Sequence, residues 1–253
     1  MPKVSVSLAA QLHLEKQLDP KKYRYVVGVD EVGRGSWAGP LCVGAVVYDL
    51  KQLVAFMSEP DPAGAARIGQ FGRSDYLRVD DSKKLSARVR NSLVEPITAL
   101  AKDYGLGMVE SDEVDEIGMT SSLALGLDRA IRPLQSYLDS AVLMLDGTTN
   151  FSRYRDAVTV AKGDAKSFAI ATASILAKVA RDSLMESESH QYPWYCFEKN
   201  KGYPSRVHVS ALYAMGPCRI HRRSWSYIDS LPWHAGRLQS PRPITVSATL
   251  WSP

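Results

Sequence analysis

Three short apolar runs in this chain each stop at a carboxylate, and that pattern restricts its fold more than any other feature. Val26-Val27-Gly28-Val29 runs into Asp30-Glu31, Ala141 to Leu145 into Asp146, and Val158 to Ala161 ends just before Asp164. Apolar runs of this length closed by turn residues read as strands. In an open sheet, functional groups gather where strand ends meet loops. Acidic groups gathered there repel one another, by about 4 kcal/mol for two unit charges 4 Å apart at an effective dielectric near 20. Divalent cations relieve that repulsion, and an oxygen-only donor set selects Mg²⁺ or Mn²⁺ over zinc. Each carboxylate also has a local reading: Asp146-Gly147 is a common turn dipeptide, and Asp164 is a natural N-cap. Agreement at three strand ends weighs toward a shared site.

Around these ends the chain alternates strands and helices. Tyr23 to Val29 reads as a strand, Leu41 to Tyr48 as its continuation or partner beyond a glycine-rich turn, and Leu106 to Val109 as another. Ser86 as N-cap and the spacing of Val89, Leu93, Ile97 and Leu100 predict a helix from Ala87 to about Lys102. Further helices are expected from about Thr120 to Tyr137 and from about Ala165 to Glu188, and Met57 to Val79, rich in Pro and Gly, reads as a long loop. The class is therefore α/β or mixed α+β around one central sheet. With 253 residues, 45% of them hydrophobic, one main domain with appendages is expected. Its parts are an N-terminal arm at 1–22, a catalytic domain at 23–190, a basic helical region at 191–228 and a flexible tail at 229–253.

Several classes drop out. The longest apolar run, Leu41 to Tyr48, is eight residues and too short for a bilayer, and Val4 to Ala10 makes a poor signal peptide. Three dispersed cysteines without a CxxC pair suit a reduced, cytoplasmic setting. There is no HExxH, no Walker-type loop and no GxSxG, and the five histidines lack metal spacing, so the chemistry falls to carboxylates.

Consecutive strand residues face opposite ways, so Asp30 and Glu31 share a site only if the chain leaves strand geometry there, as Gly33 and Gly35 would permit. Gly33-Arg34-Gly35 sets a guanidinium between two residues free to adopt positive φ, with backbone amides able to approach a ligand closely. Lys83 and Lys84, before the Ala87 helix, face either solvent or phosphates. Asp182 lies 18 residues beyond Asp164, about 27 Å along a continuous helix, and reads as a helix-surface charge paired with Arg181 or Lys178. From Lys199 to Trp225 the chain carries six cations and no anion in 27 residues, with Tyr203, Tyr213 and Trp225 interleaved. That segment suits a phosphate backbone, or a solvated basic surface.

Taken in order, Gly28 to Gly35, Ala38-Gly39-Pro40, Asp81 to Ser86, Asp146-Gly147, Lys162 to Ser167, Ala173 to Val179 with Arg181-Asp182, Lys201-Gly202-Tyr203 and His221 to Ser224 resemble the ribonuclease HII family across roughly residues 24 to 226. The resemblance implies an RNase H-like fold: a mixed five-stranded sheet flanked by helices, with a smaller helical C-terminal region. It also implies a cytoplasmic, monomeric endonuclease that cuts the RNA strand of RNA–DNA hybrids and nicks duplex DNA on the 5′ side of embedded ribonucleotides. The products would carry 5′-phosphate and 3′-hydroxyl ends. Carried over by position, the metal-binding carboxylates fall on Asp30, Glu31, Asp146 and Asp164, holding two Mg²⁺ or Mn²⁺ ions. The ribonucleotide-sensing turn falls on Gly33, Arg34 and Gly35, and the sugar-stacking tyrosine on Tyr203; Lys83 and Lys84 would hold phosphates. The chain departs from the family pattern at Ser36-Trp37, at Pro204-Ser205 and in an apparent insertion before Asp80. A replication clamp is a candidate partner for the proline-bearing tail. Two other readings share some of these features: a non-enzymatic hybrid-binding module, which has no use for the carboxylates, and a nuclease acting on DNA alone, which has no use for the glycine turn.

Overall fold

The computed structural model describes residues 12–58 and 67–231. A mixed five-stranded sheet forms its centre, as the resemblance implied: β1 (Tyr25–Val32), β2 (Leu41–Asp49), β3 (Asp103–Val109), β4 (Ala141–Asp146) and β5 (Ala157–Val160), in spatial order β3-β2-β1-β4-β5. β2 runs antiparallel to both β1 and β3, whereas β1, β4 and β5 are mutually parallel. The principal helices are α1 (Leu50–Ser58), α2 (Ala87–Leu100), α3 (Ser111–Ile131), α4 (Phe168–Gln191) and α5 (Arg206–Met215).

Alternation along the strands divides the core. Val26, Val46, Val142 and Met144 meet Phe168, Ile175, Leu93 and Ile97 from α4 and α2 on one face. Val27, Val29, Val43, Leu143 and Leu145 meet Leu127, Ala130 and Ile131 from α3 on the other. Strand glycines let the helices sit close: a Cβ on Gly28 would lie 2.0 Å from the Ala169 carbonyl carbon of α4. A third apolar cluster joins Ala38 and Met185 to Tyr195, Phe197, Leu212, Tyr227 and Ile228, welding the C-terminal helices to the loop after β1.

Several expectations change in detail. β1 starts at Tyr25 and continues through Asp30 and Glu31 to Val32, still paired with β2. The third acid-ended strand is the sheet's edge: β5 is half-exposed along its length, Val158 being 45% exposed. An apolar run alone does not tell a central strand from an edge strand that no helix covers. α3 starts at Ser111 rather than Thr120, because Gly118, at φ 75°, joins two helical stretches across a kink. α4 starts at Phe168, and its cap is the Ser167 hydroxyl, accepting from the Ile170 amide, not Asp164. The segment read as a loop from Met57 holds the end of α1, a two-residue hairpin and a helical turn at Arg73–Tyr76; residues 59–66 lie outside the described residues. Of the arm, Leu12 and Glu15 are buried, and residues 1–11 lie outside the described residues. Of the tail, Leu231 packs into the third cluster, and residues 232–253 lie outside the described residues.

Candidate active site

Strand register gathers the acids. β1 and β4 are parallel, with Val29 beside Leu145, so Asp30 and Asp146 follow at the same level. Asp146 pairs in turn with Val160 of β5, after which left-handed Lys162 leads into the 3₁₀ turn Gly163–Ala165 that carries Asp164. Asp30 and Asp164 are buried, at 5% and 7% exposure. Glu31 stays within the strand, paired with Val43, where a shared site was expected to need a break in strand geometry; Arg34 Nη1 lies 3.7 Å from its Oε1.

Asp30, Glu31 and Asp164 each lie in the field of Asp146. Burial, with the charges of Glu31 and Asp146, pushes Asp30 up to about 8 against the hydrogen bond from Ser174. Burial and Asp146 also raise Glu31, with Arg34 and Lys83 opposing. Asp164 rises through burial and through Asp146 and Asp81. Lys83 shows the complement: burial works against its charge, yet Asp30, Asp164, Asp81 and Asp146 together raise its pKa. Lys83 thus lies in the acids' field, whereas Lys84 pairs with Asp80 at 3.2 Å on the surface.

As the side chains stand, no three His, Cys, Asp or Glu among the described residues form a ready-made metal-holding group. Their oxygens are engaged locally: Asp146 Oδ1 accepts from the Gly163 amide at 2.6 Å and Asp30 Oδ1 from the Glu31 amide at 2.8 Å. The donor chemistry nonetheless fits a hard divalent cation. It consists of carboxylate oxygens only, it is partly withdrawn from water, and Lys83 and Arg34 lie in its field.

The glycine turn divides its labour. Only Gly33 is left-handed, at φ 90°, and a Cβ there would meet Arg181 Nε at 2.3 Å. Gly35 does not adopt positive φ, and a Cβ there would meet nothing within 4 Å. Gly33 is therefore a packing requirement, and Gly35 opens a face to solvent. Behind them lie two groups the sequence reading had not singled out for this place. Arg181 and Arg222 are fully buried, and their hydrogen bonds run to backbone carbonyls and the Ser36 hydroxyl. The Arg181 guanidinium lies 5.6 Å from the Tyr203 ring centroid.

Two charge readings need correction. Asp182 is buried, not a surface charge: Lys178 Nζ lies at 2.6 Å and Arg90 Nη2 at 3.3 Å. Arg90 also donates to the Ser82 and Leu85 carbonyls, so this ion cluster steadies the loop that carries Lys83. The basic segment is only partly a surface. Lys199, Arg206 and Arg219 are exposed, but Lys201 pairs with Glu186, and Arg222, His208 and His221 are buried. The two histidines bond each other at 2.9 Å, and His208 Nδ1 lies 2.9 Å from the Tyr203 carbonyl. Among the described residues no helix is long and apolar enough to cross a membrane.

Comparison with known proteins adds an independent finding. The family model described as ribonuclease HII matches residues 70–228. The ribonuclease HII of Caldicellulosiruptor bescii is 36% identical over 212 residues, covering 84% of this chain and 91% of that protein. A chain in the structure of the PCNA:RNase HII complex from Archaeoglobus fulgidus shares the fold with a TM-score of 0.61 at 23% identity, covering 82% of this chain and 97% of its own. So does the crystal structure of Bst-RNase HIII in complex with Mn²⁺, with a TM-score of 0.56 at 17% identity, covering 80% of this chain and 65% of its own.

Proposed function

The chain belongs to the ribonuclease HII family, whose members are metal-dependent endoribonucleases, and from that premise we propose that it cuts the RNA strand of RNA–DNA hybrids and nicks duplex DNA on the 5′ side of an embedded ribonucleotide. The products carry 5′-phosphate and 3′-hydroxyl ends. The observation that supports this reading is the register of β1, β4 and β5, which sets Asp146 level with Asp30, with Glu31 and Asp164 in the field of Asp146.

These four carboxylates are the groups that would hold Mg²⁺ or Mn²⁺. Bound there, such ions would supply positive charge to activate a water and to stabilise a departing 3′-oxygen. The protein's own part is positional. Asp30 is kept in place by the Glu31 amide, and Asp146 by the Gly163 amide. Lys83, beside the acids, meets the phosphate next to the cut, and Lys84 a neighbouring phosphate. Selectivity needs a reader of the 2′-hydroxyl, the group that tells RNA from DNA. The turn Gly33-Arg34-Gly35 supplies it through backbone groups, which a sugar can reach because Gly35 leaves open space. Tyr203, backed by Arg181, stacks on the adjacent sugar. A replication clamp is the proposed protein partner, by analogy with the Archaeoglobus fulgidus complex.

The test is a duplex carrying one ribonucleotide beside its all-DNA counterpart and a long hybrid, each with Mg²⁺, with Mn²⁺ and with chelator. The expected result is a single break 5′ to the ribonucleotide, dependent on divalent ions. Equal cutting of the all-DNA duplex, or binding to the hybrid without scission in either metal, sinks the reading.

A further inference from the structure

The amides of a tight turn can face a ligand only if its carbonyls are satisfied elsewhere. In the loop from Gly33 to Pro40 those of Arg34, Ala38, Gly39 and Pro40 are turned inward. The Arg34 carbonyl accepts from Arg222 Nη1 at 3.1 Å, and the Gly39 carbonyl from Arg222 Nε and Nη2. Those of Ala38 and Pro40 accept from Arg181 at 3.0 and 2.8 Å. The Gly33 carbonyl, which opens the turn, is different: it accepts from the Ser36 amide at 3.3 Å and from the Ser36 hydroxyl at 2.9 Å. That same hydroxyl accepts from Arg181 Nη2 at 2.8 Å, and Ser36 is fully buried.

From this geometry we infer that Ser36 is a positioning residue for ribonucleotide recognition. Its hydroxyl links the carbonyl that starts the turn to the guanidinium that also backs Tyr203. It therefore sets the turn and the tyrosine in register. A hydrogen bond to a charged donor is stronger than a neutral one, so the Arg181–Ser36 bond holds the hydroxyl in one rotamer with its proton aimed at Gly33. Ser36 has no route to the substrate and does not touch it. The inference rests on the proposal that the turn reads the 2′-hydroxyl.

The test is equilibrium binding by fluorescence anisotropy, in chelator so that nothing is cut, to a duplex with one ribonucleotide and to its all-DNA counterpart. Ser36→Ala removes the hydroxyl, and Ser36→Cys replaces it with a weak donor of similar shape. In both variants Arg181 Nη2 keeps the Ala38 carbonyl, so the guanidinium is not orphaned. Both should raise Kd for the ribonucleotide duplex about tenfold, equivalent to about 1.4 kcal/mol, and leave Kd for the all-DNA duplex unchanged. If both duplexes weaken alike, or neither changes, Ser36 serves the fold only and the inference is overturned. A loss in Ser36→Ala without one in Ser36→Cys assigns the effect to packing and also overturns it. Gly35→Val, whose side chain enters the open space at the turn, separates the underlying reading. If the native protein and Gly35→Val both fail to distinguish the two duplexes, the turn is not the reader, and the proposal beneath this inference falls with it.

Discussion

Single carboxylates in this protein answer to their surroundings more than to their type. Asp146 raises Asp30, Glu31 and Asp164, and it is the one acid common to all three. Asp146→Asn keeps the shape and removes that charge. Cleavage is expected to fall by about 10²–10³-fold, the scale on which losing one charge-stabilising group costs an active site, while hybrid binding persists in a filter or anisotropy assay. Cleavage near the native rate would remove Asp146 from the site. Glu15 presents the opposite case, an acid with no part in the chemistry. It is buried in the arm, accepts from the Ser167 hydroxyl at 2.6 Å and the Ala169 amide at 3.0 Å, and is pushed up to about 7, chiefly by burial. Its folded pKa lies above its unfolded value near 4.5, so the stability it contributes is fully present below pH 4.5 and is lost as pH rises through 7. Glu15→Gln, neutral throughout, should therefore unfold at higher denaturant than the native protein at pH 8.5 and about equally at pH 5. The gain is bounded at about 3 kcal/mol by the size of the shift. An identical pH dependence in the two proteins would show that the buried Glu15 carboxyl is not the group responsible.

At the scale of elements, the site depends on α4 lying flat across β1. Gly28→Ala would set a Cβ against the Ala169 backbone, which has no rotamer through which to yield. Overpacking of this kind costs about 1–3 kcal/mol, and more where the neighbour is backbone, so urea unfolding should show a loss at or above the top of that range. A loss under about 1 kcal/mol would mean that the helix can slide. The elements that were legible from the sequence share this local character. Ser86 capping α2 and the runs ending at Asp30, Asp146 and Asp164 are patterns within a few residues. What could not be read was set by partners far along the chain. β1 outlasts its apolar run because β2 pairs with it as far as Val32, and β5 is half-exposed because it is the sheet's edge strand. Ser167 rather than Asp164 caps α4 because Glu15 anchors its hydroxyl from the arm. Asp182 is buried because Arg90 arrives from α2.

Over the whole molecule, charge is sorted by depth in a way that a count of residues hides. The basic run from Lys199 to Trp225 looked uniform, yet Arg222 lies inside, bonded to the loop after β1, and burial, with Arg181 beside it, pushes its pKa down to about 9. Of the segment's cations, Lys199, Arg206 and Arg219 remain exposed. The family's ordered motifs could carry the position of the acids across from relatives, but not the depth of each arginine, because depth depends on how the C-terminal helices fold back on the β1 loop. Two cation roles follow, and salt separates them. Exposed cations that neutralise phosphates release counterions, and each contact contributes about 0.9 to the slope of log K against log salt on duplex DNA. The double variant Lys199→Ala, Arg206→Ala should bind RNA–DNA hybrid and ribonucleotide duplex more weakly to the same degree. Its slope should be shallower by about 2, if both cations meet phosphates, and its selectivity for the ribonucleotide unchanged. A slope equal to the native one, measured between low and moderate salt, would take this face off the nucleic-acid path and leave Lys83 and Arg34 as the cations nearest the cut.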